Sequence, residues 1–147
     1  MHRIESEQHG QAAGNPGSRA EQFRVLIVDD EIDIAFSLRM SLEQSGFTVD
    51  SFNEPEAALY NFKAGTYDIA LIDIRMPQMN GIDLYGKLRK IDDKVKYCLM
   101  TAYEGYYETL KKDHPTLNVD CFMTKPIQLG NLVAVIKKQL EKLEKPS

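Results

Sequence analysis

Arg24-Val25-Leu26-Ile27-Val28-Asp29-Asp30-Glu31 sets four consecutive aliphatic side chains, three of them β-branched, against an abrupt acidic end. A run this short, without alternation, reads as a strand buried on both faces. Comparable runs recur at Phe47-Thr48-Val49, at Ile69-Ala70-Leu71-Ile72, from Val95 to Met100, and at Cys121-Phe122-Met123. Between them the apolar positions fall on one helical face: Ile34, Leu38 and Leu42; Ala58, Leu59 and Phe62; Leu84, Leu88 and Ile91; and Leu129 through Leu132, Val133, Ile136 and Leu140 to Leu143. The segment Glu104 to Lys112 is the least clearly amphipathic helix of the set. Asn53-Glu54-Pro55 reads as a helix start with proline at the first helical position, and Gly46 and Gly65 fall just after helix ends. Strand and helix alternate five times, which predicts an α/β fold. Its doubly wound parallel sheet is joined by right-handed crossovers and covered by helices on both faces.

The chain has 147 residues, of which 43% are hydrophobic and 27% charged, the size and balance of one globular domain. Residues 1–22 carry only Met1, Ile4, Ala12, Ala13 and Ala20 as apolar side chains, too few to offset their ordering entropy. They are expected to form a disordered extension, with the domain occupying 23–145. No apolar run approaches the roughly 20 residues of a membrane span, and nothing apolar follows Arg3 as in a secretory signal, so a cytoplasmic protein without a membrane association is expected. Cys98 and Cys121 are too few for a disulfide scaffold and read as reduced, buried thiols; neither has a second Cys or His at ligand spacing. A net charge of −4, with Arg3, Arg19 and Arg24 too sparse for a basic arm, argues against direct nucleic-acid binding.

In doubly wound sheets ligands collect beyond the carboxyl ends of the strands. Here the first strand runs into Asp29-Asp30, the third into Asp73, the fourth into Thr101 and the fifth into Thr124-Lys125-Pro126. Taken singly, the first two acids could cap a helix, and Asp73 could belong to the turn that includes Pro77, Asn80 and Gly81. Taken together, three carboxylates on one rim would repel one another without a cation. Magnesium prefers oxygen ligands in this setting, one or two carboxylates with retained waters and phosphoryl oxygens. A carboxylate can also attack phosphorus to form an acyl phosphate when the equatorial oxygens are neutralised, and Lys125 and the Thr101 hydroxyl are suited to that task.

Four stretches then carry a resemblance to a known family. Val25 through Glu31, Leu71-Ile72-Asp73-Ile74-Arg75-Met76-Pro77-Gln78-Met79-Asn80-Gly81, Met100-Thr101-Ala102 and Phe122-Met123-Thr124-Lys125-Pro126 resemble the receiver domain of two-component response regulators, in its single-domain, chemotaxis-regulator-like form. The resemblance covers Arg24 to about Leu143. It implies a flavodoxin-like sheet in the order 2-1-3-4-5 and a site centred on Asp73 as phosphoacceptor. Asp30 would be a direct magnesium ligand, Asp29 an acidic partner acting largely through metal-bound water, and the Arg75 main-chain carbonyl a further ligand. Thr101 would be the switch hydroxyl, Lys125 the cation on the phosphoryl group, and the Lys125-Pro126 bond cis. Phe122 matches the aromatic switch position and reads equally as a core phenylalanine.

The resemblance further implies a phosphorylation-dependent signalling switch that catalyses only its own phosphorylation and dephosphorylation. The donor would be a phosphohistidine of a sensor histidine kinase or histidine phosphotransfer protein. The change would pass to a separate partner through residues 104–145, since only Lys145-Pro146-Ser147 follow the fifth helix, and phosphorylation-dependent dimerisation is a further expectation. Arg75 and Tyr103, two residues beyond Asp73 and Thr101, would border the path of hydrolytic water and obstruct it. The chain departs from the family over Lys111 to Asp120, where Pro115 should stop the fourth helix near Asp113 and His114 reads as a surface residue. Alternatives are a phosphotransfer intermediate or phosphate sink, a non-phosphorylated interaction module, and a magnesium-dependent hydrolase of the haloacid dehalogenase type. The hydrolase places its second aspartate two residues after the first, unlike the adjacent Asp29-Asp30.

Overall fold

A computed structural model describes residues 23–103 and 105–143; the expected extension over 1–22, the helix start at Glu104 and residues 144–147 lie outside the described residues. The elements run β1 (Arg24–Val28), α1 (Ile32–Gln44), β2 (Thr48–Phe52), α2 (Pro55–Asn61), β3 (Ile69–Asp73), α3 (Gly81–Ile91), β4 (Lys96–Thr101), α4 (Tyr106–Asp113), β5 (Cys121–Thr124) and α5 (Leu129–Glu141). All five strands are parallel, in the order β2-β1-β3-β4-β5. No helix among the described residues is long and apolar enough to cross a membrane.

The near-continuous apolar runs are the central strands. Val25 to Val28 and Ile69 to Ile72 are fully buried because alternate side chains enter two separate cores. Leu26, Val28, Ala70, Ile72, Tyr97 and Leu99 pack with α2, α3 and α4; Val25, Ile27, Ile69, Leu71, Cys98 and Met100 pack with α1 and α5. Helix boundaries follow the local chemistry. Pro55 is the first residue of α2, Asn80 caps α3 by accepting from the Asp83 N–H at 2.9 Å, and Gly46 takes the positive φ of 99° that reverses the chain after α1.

Three expectations need correction. The second strand runs on to Phe52, because β2 is an edge strand whose Asp50 pairs with Arg24 at 2.8 Å and accepts from Tyr67 Oη at 2.7 Å; a charge that reads as a turn is satisfied beside the strand. Ile91, Leu129 and Leu143, assigned to buried helix faces, are 43%, 40% and 38% exposed: Ile91 is the last residue of α3, Leu129 the first of α5, and Leu143 lies beyond the end of α5. Finally, Cys98 and Cys121 are not reduced thiols. Parallel pairing of β4 with β5 sets them opposite one another with Cα atoms 4.5 Å apart, and they form a disulfide.

Candidate functional site

Parallel strands deliver their carboxyl ends to one rim, and that rim gathers the predicted site residues. Asp29 follows β1, held by its N–H on the Phe52 carbonyl at 3.1 Å and by its own carbonyl accepting from Asn53 Nδ2 at 3.1 Å. Asp73 ends β3, and Asp29, Asp30 and Asp73 each offer a carboxylate oxygen within 4.8 Å of the others. Thr101 ends β4, buried, with its Oγ1 accepting from the Tyr103 N–H at 3.2 Å. Its carbonyl accepts from the Lys125 N–H at 2.6 Å, so the threonine and the lysine are tied through the main chain. The Lys125-Pro126 bond is cis.

Lys125 reaches into the acidic group. Its Nζ lies 2.8 Å from Asp29 Oδ2, 2.9 Å from Glu31 Oε1 and 3.2 Å from Asp73 Oδ1. One ammonium shared among three carboxylates leaves the rim with excess negative charge. Burial, then the charge of Asp29, push the Asp73 carboxyl up to about 7 against the pull of Lys125, with Asp30 adding to the rise. Burial likewise raises Asp29, opposed by its bonds to Lys125 and to the Glu31 N–H. Burial works to lower Lys125, but its close contacts with Asp29 and Glu31 and the charges of Asp29 and Asp73 outweigh it and hold the ammonium above its ordinary range.

A divalent cation fits this donor set. The Asp29 Oδ2 atom is buried and, beyond its ionic contact with Lys125, carries no hydrogen bond. Hard oxygen donors crowded together with one such atom unbonded are what magnesium satisfies. Capping accounts for only part of Asp29, whose Oδ1 accepts from the Glu31 N–H at 3.0 Å.

The remaining predicted positions lie around this centre. Arg75 and Tyr103 are exposed and touch each other: Nη1 of Arg75 donates to the tyrosine hydroxyl, and its guanidinium sits over the ring at 4.9 Å. Phe122 is half-buried, packed on the core at one side and on the Tyr107 ring at 5.0 Å on the other. Helix α4 ends at Asp113, and His114 is exposed, as expected. Two residues of the site went unread in the sequence. Glu31 contacts Lys125 across 94 positions of chain, a reach no local pattern encodes. Gly81 lies so close to β3 that a Cβ there would stand 2.2 Å from the Asp73 carbonyl oxygen; its place in a turn was legible, its contact with the Asp73 backbone was not.

Residues 25–137 match the model of the response regulator receiver domain, and the chain belongs to that family. Its relatives include the transcriptional regulatory protein PrrA of Mycobacterium leprae, 32% identical over 119 residues that make up 81% of this chain and 50% of that protein. The aerobic respiration control sensor protein ArcB of Escherichia coli is 33% identical over 115 residues, 78% of this chain and 15% of ArcB. The chain thus spans about half the length of PrrA, or less of its larger relatives. Among solved structures, a CheY-like receiver domain protein from Methanospirillum hungatei superposes with a TM-score of 0.71 at 28% identity, covering 83% of this chain and 96% of that one. The response regulator TrrA of Thermotoga maritima, solved with Mg(2+)-BeF, gives 0.69 at 32% identity over 80% of this chain and 99% of its own. The fold is therefore the flavodoxin-like receiver fold, and the protein is a two-component receiver domain whose role is phosphorylation-dependent signalling.

Proposed function

We propose that Asp73 accepts a phosphoryl group from a protein phosphohistidine, and that the domain spans 23–145. The observation that carries this reading is the rim itself: three carboxylates within 4.8 Å of one another, one shared lysine, and Asp73 pushed up to about 7. An Asp73 carboxylate oxygen attacks phosphorus, the phosphorus–nitrogen bond of the donor breaks, the imidazole leaves and takes a proton, and an acyl phosphate remains. Lys125 meets the phosphoryl oxygens, and Thr101 gives up its bond from the Tyr103 N–H to turn its hydroxyl toward them. Asp29, Asp30 and Asp73, with the Arg75 carbonyl, would hold magnesium, which would supply positive charge to neutralise those oxygens. The domain acts on no substrate but its own aspartate.

The donor is a sensor kinase or histidine phosphotransfer protein in the cytoplasm. Helix α1, which starts beside the rim, exposes Ile32 and Phe36 at 66% and 61%, one turn apart, an apolar surface suited to a protein donor. The output passes through residues 104–145, where Phe122 and Tyr107 are in contact and can repack together. The test is incubation with acetyl phosphate, with and without magnesium, followed by intact mass. One phosphoryl group is expected on the wild type, only with the cation, and none on Asp73→Asn; undiminished labelling of that variant would overturn the assignment.

A further inference from the structure

Lys125 is surrounded by carboxylates before any phosphoryl group arrives, and its hydrogen bond goes to Glu31. An ammonium has three N–H donors, and this one faces three carboxylates: Asp29 at 2.8 Å, Glu31 at 2.9 Å and Asp73 at 3.2 Å. To turn a donor toward a phosphoryl oxygen it must loosen its hold on one of them. The three are not equivalent. Asp29 is completely buried, so moving Lys125 away would take a cation from a charge that water does not reach. Asp73 carries the incoming group and stays beside the lysine. The Glu31 side chain is 56% exposed, so its released carboxylate is hydrated at once.

The position of Glu31 is fixed by local structure. It is the residue that precedes α1, with its N–H on Asp29 Oδ1 at 3.0 Å and its carbonyl accepting from the Ala35 N–H at 3.0 Å. The side chain therefore leaves a pinned backbone and bridges to Lys125 from the solvent side. It adds nothing to the metal cluster, which consists of Asp29, Asp30 and Asp73. What it adds is a further, solvent-exposed negative charge on the ammonium, one that both occupies a donor and repels an approaching phosphoryl dianion.

We propose that Glu31 is a displaceable counter-ion of Lys125: it holds the lysine in the resting state, is exchanged for a phosphoryl oxygen on phosphorylation, and so slows the loading of Asp73. This rests on Asp73 being the acceptor. Glu31 acts through Lys125 and is a positioning residue; Glu31→Gln removes the charge at nearly constant shape, while Glu31→Asp keeps the charge and shortens its reach.

The experiment follows the rate of mass gain against acetyl phosphate concentration at saturating magnesium for the wild type and both variants, at low and at high salt. At low salt Glu31→Gln is expected to load about three- to tenfold faster per unit of donor, with Glu31→Asp between it and the wild type, and the difference should shrink at about 1 M salt, where the Debye length falls to about 3 Å. A purely structural role would slow loading or leave it unchanged, without that salt dependence. Labelling of Glu31→Gln at or below the wild-type rate overturns the counter-ion role and leaves Asp73 as acceptor. No labelling of any of the three proteins overturns both.

Discussion

The two ends of the same sheet treat charge in opposite ways. At the amino ends of the strands, Arg24 pairs with Asp50 at 2.8 Å, its N–H donates to Asp68 at 2.8 Å, and Tyr67 donates to Asp50 at 2.7 Å. Asp120 accepts from the Tyr97 N–H at 2.8 Å and lies 3.8 Å from Lys96. Burial still lifts Asp68 above its ordinary value, but each carboxylate there has a main-chain or phenolic donor of its own, or a cation beside it. At the carboxyl ends, Asp29, Glu31 and Asp73 share one lysine, and Asp29 Oδ2 is left without a hydrogen bond. Among the buried side-chain polar atoms of the described residues only Arg24 Nε matches it at the other end. One end spends its charges on stability. The other keeps a deficit of cations, which a divalent metal would make good.

The largest test of that contrast is the sign of a neutralising mutation. A carboxyl raised to about 7 stays protonated in the folded state while the unfolded chain ionises near 3.8, so from about pH 4 to pH 7 the folded state binds more protons and stability falls as pH rises. Without magnesium, Asp73→Asn should therefore raise stability at pH 8 by up to about 4 kcal/mol, the gain shrinking below pH 7 and vanishing near pH 4. Asp120→Ala, at the other end, should lower stability by about 1 kcal/mol through the bond lost from the Tyr97 N–H. Urea unfolding of both variants across pH measures this; a loss from both would erase the contrast.

A smaller effect is expected at the mouth of the rim. Arg75 and Tyr103 are joined by a hydrogen bond and by the guanidinium stacked 4.9 Å from the ring. Side chains locked to one another are expected to obstruct the approach of water to Asp73 more than two independent ones would. Obstruction of the in-line geometry by about 1.4 kcal/mol slows hydrolysis about tenfold. Arg75→Asn and Tyr103→Ala should each lose the phosphoryl group faster than the wild type. Decay no faster than the wild type would mean that the pair does not guard the site.

Most of the scaffold was legible because burial on both faces leaves a mark on sequence: Val25 to Val28 and Ile69 to Ile72 have no polar positions to alternate. The acidic strand ends were legible for the same reason, since charge interrupting an apolar run is conspicuous. What sequence hid depends on register or reach. Asp50 and Ser51 conceal the length of β2 because the partner of Asp50 lies on a neighbouring strand. Cys98 and Cys121 are 23 residues apart, and only the pairing of β4 with β5 sets them opposite. Glu31 looks like an ordinary acid at a helix start until the fifth strand brings Lys125 beside it.

The switch itself is tested most directly by comparing backbone amide shifts with and without beryllium fluoride and magnesium. Changes are expected around Asp29, Asp73, Thr101 and Lys125, continuing through α4 and β5 to Tyr107 and Phe122, while Arg24, Asp68 and Lys96 at the opposite end stay in place. Changes confined to the rim, with α4 and β5 unmoved, would contradict it.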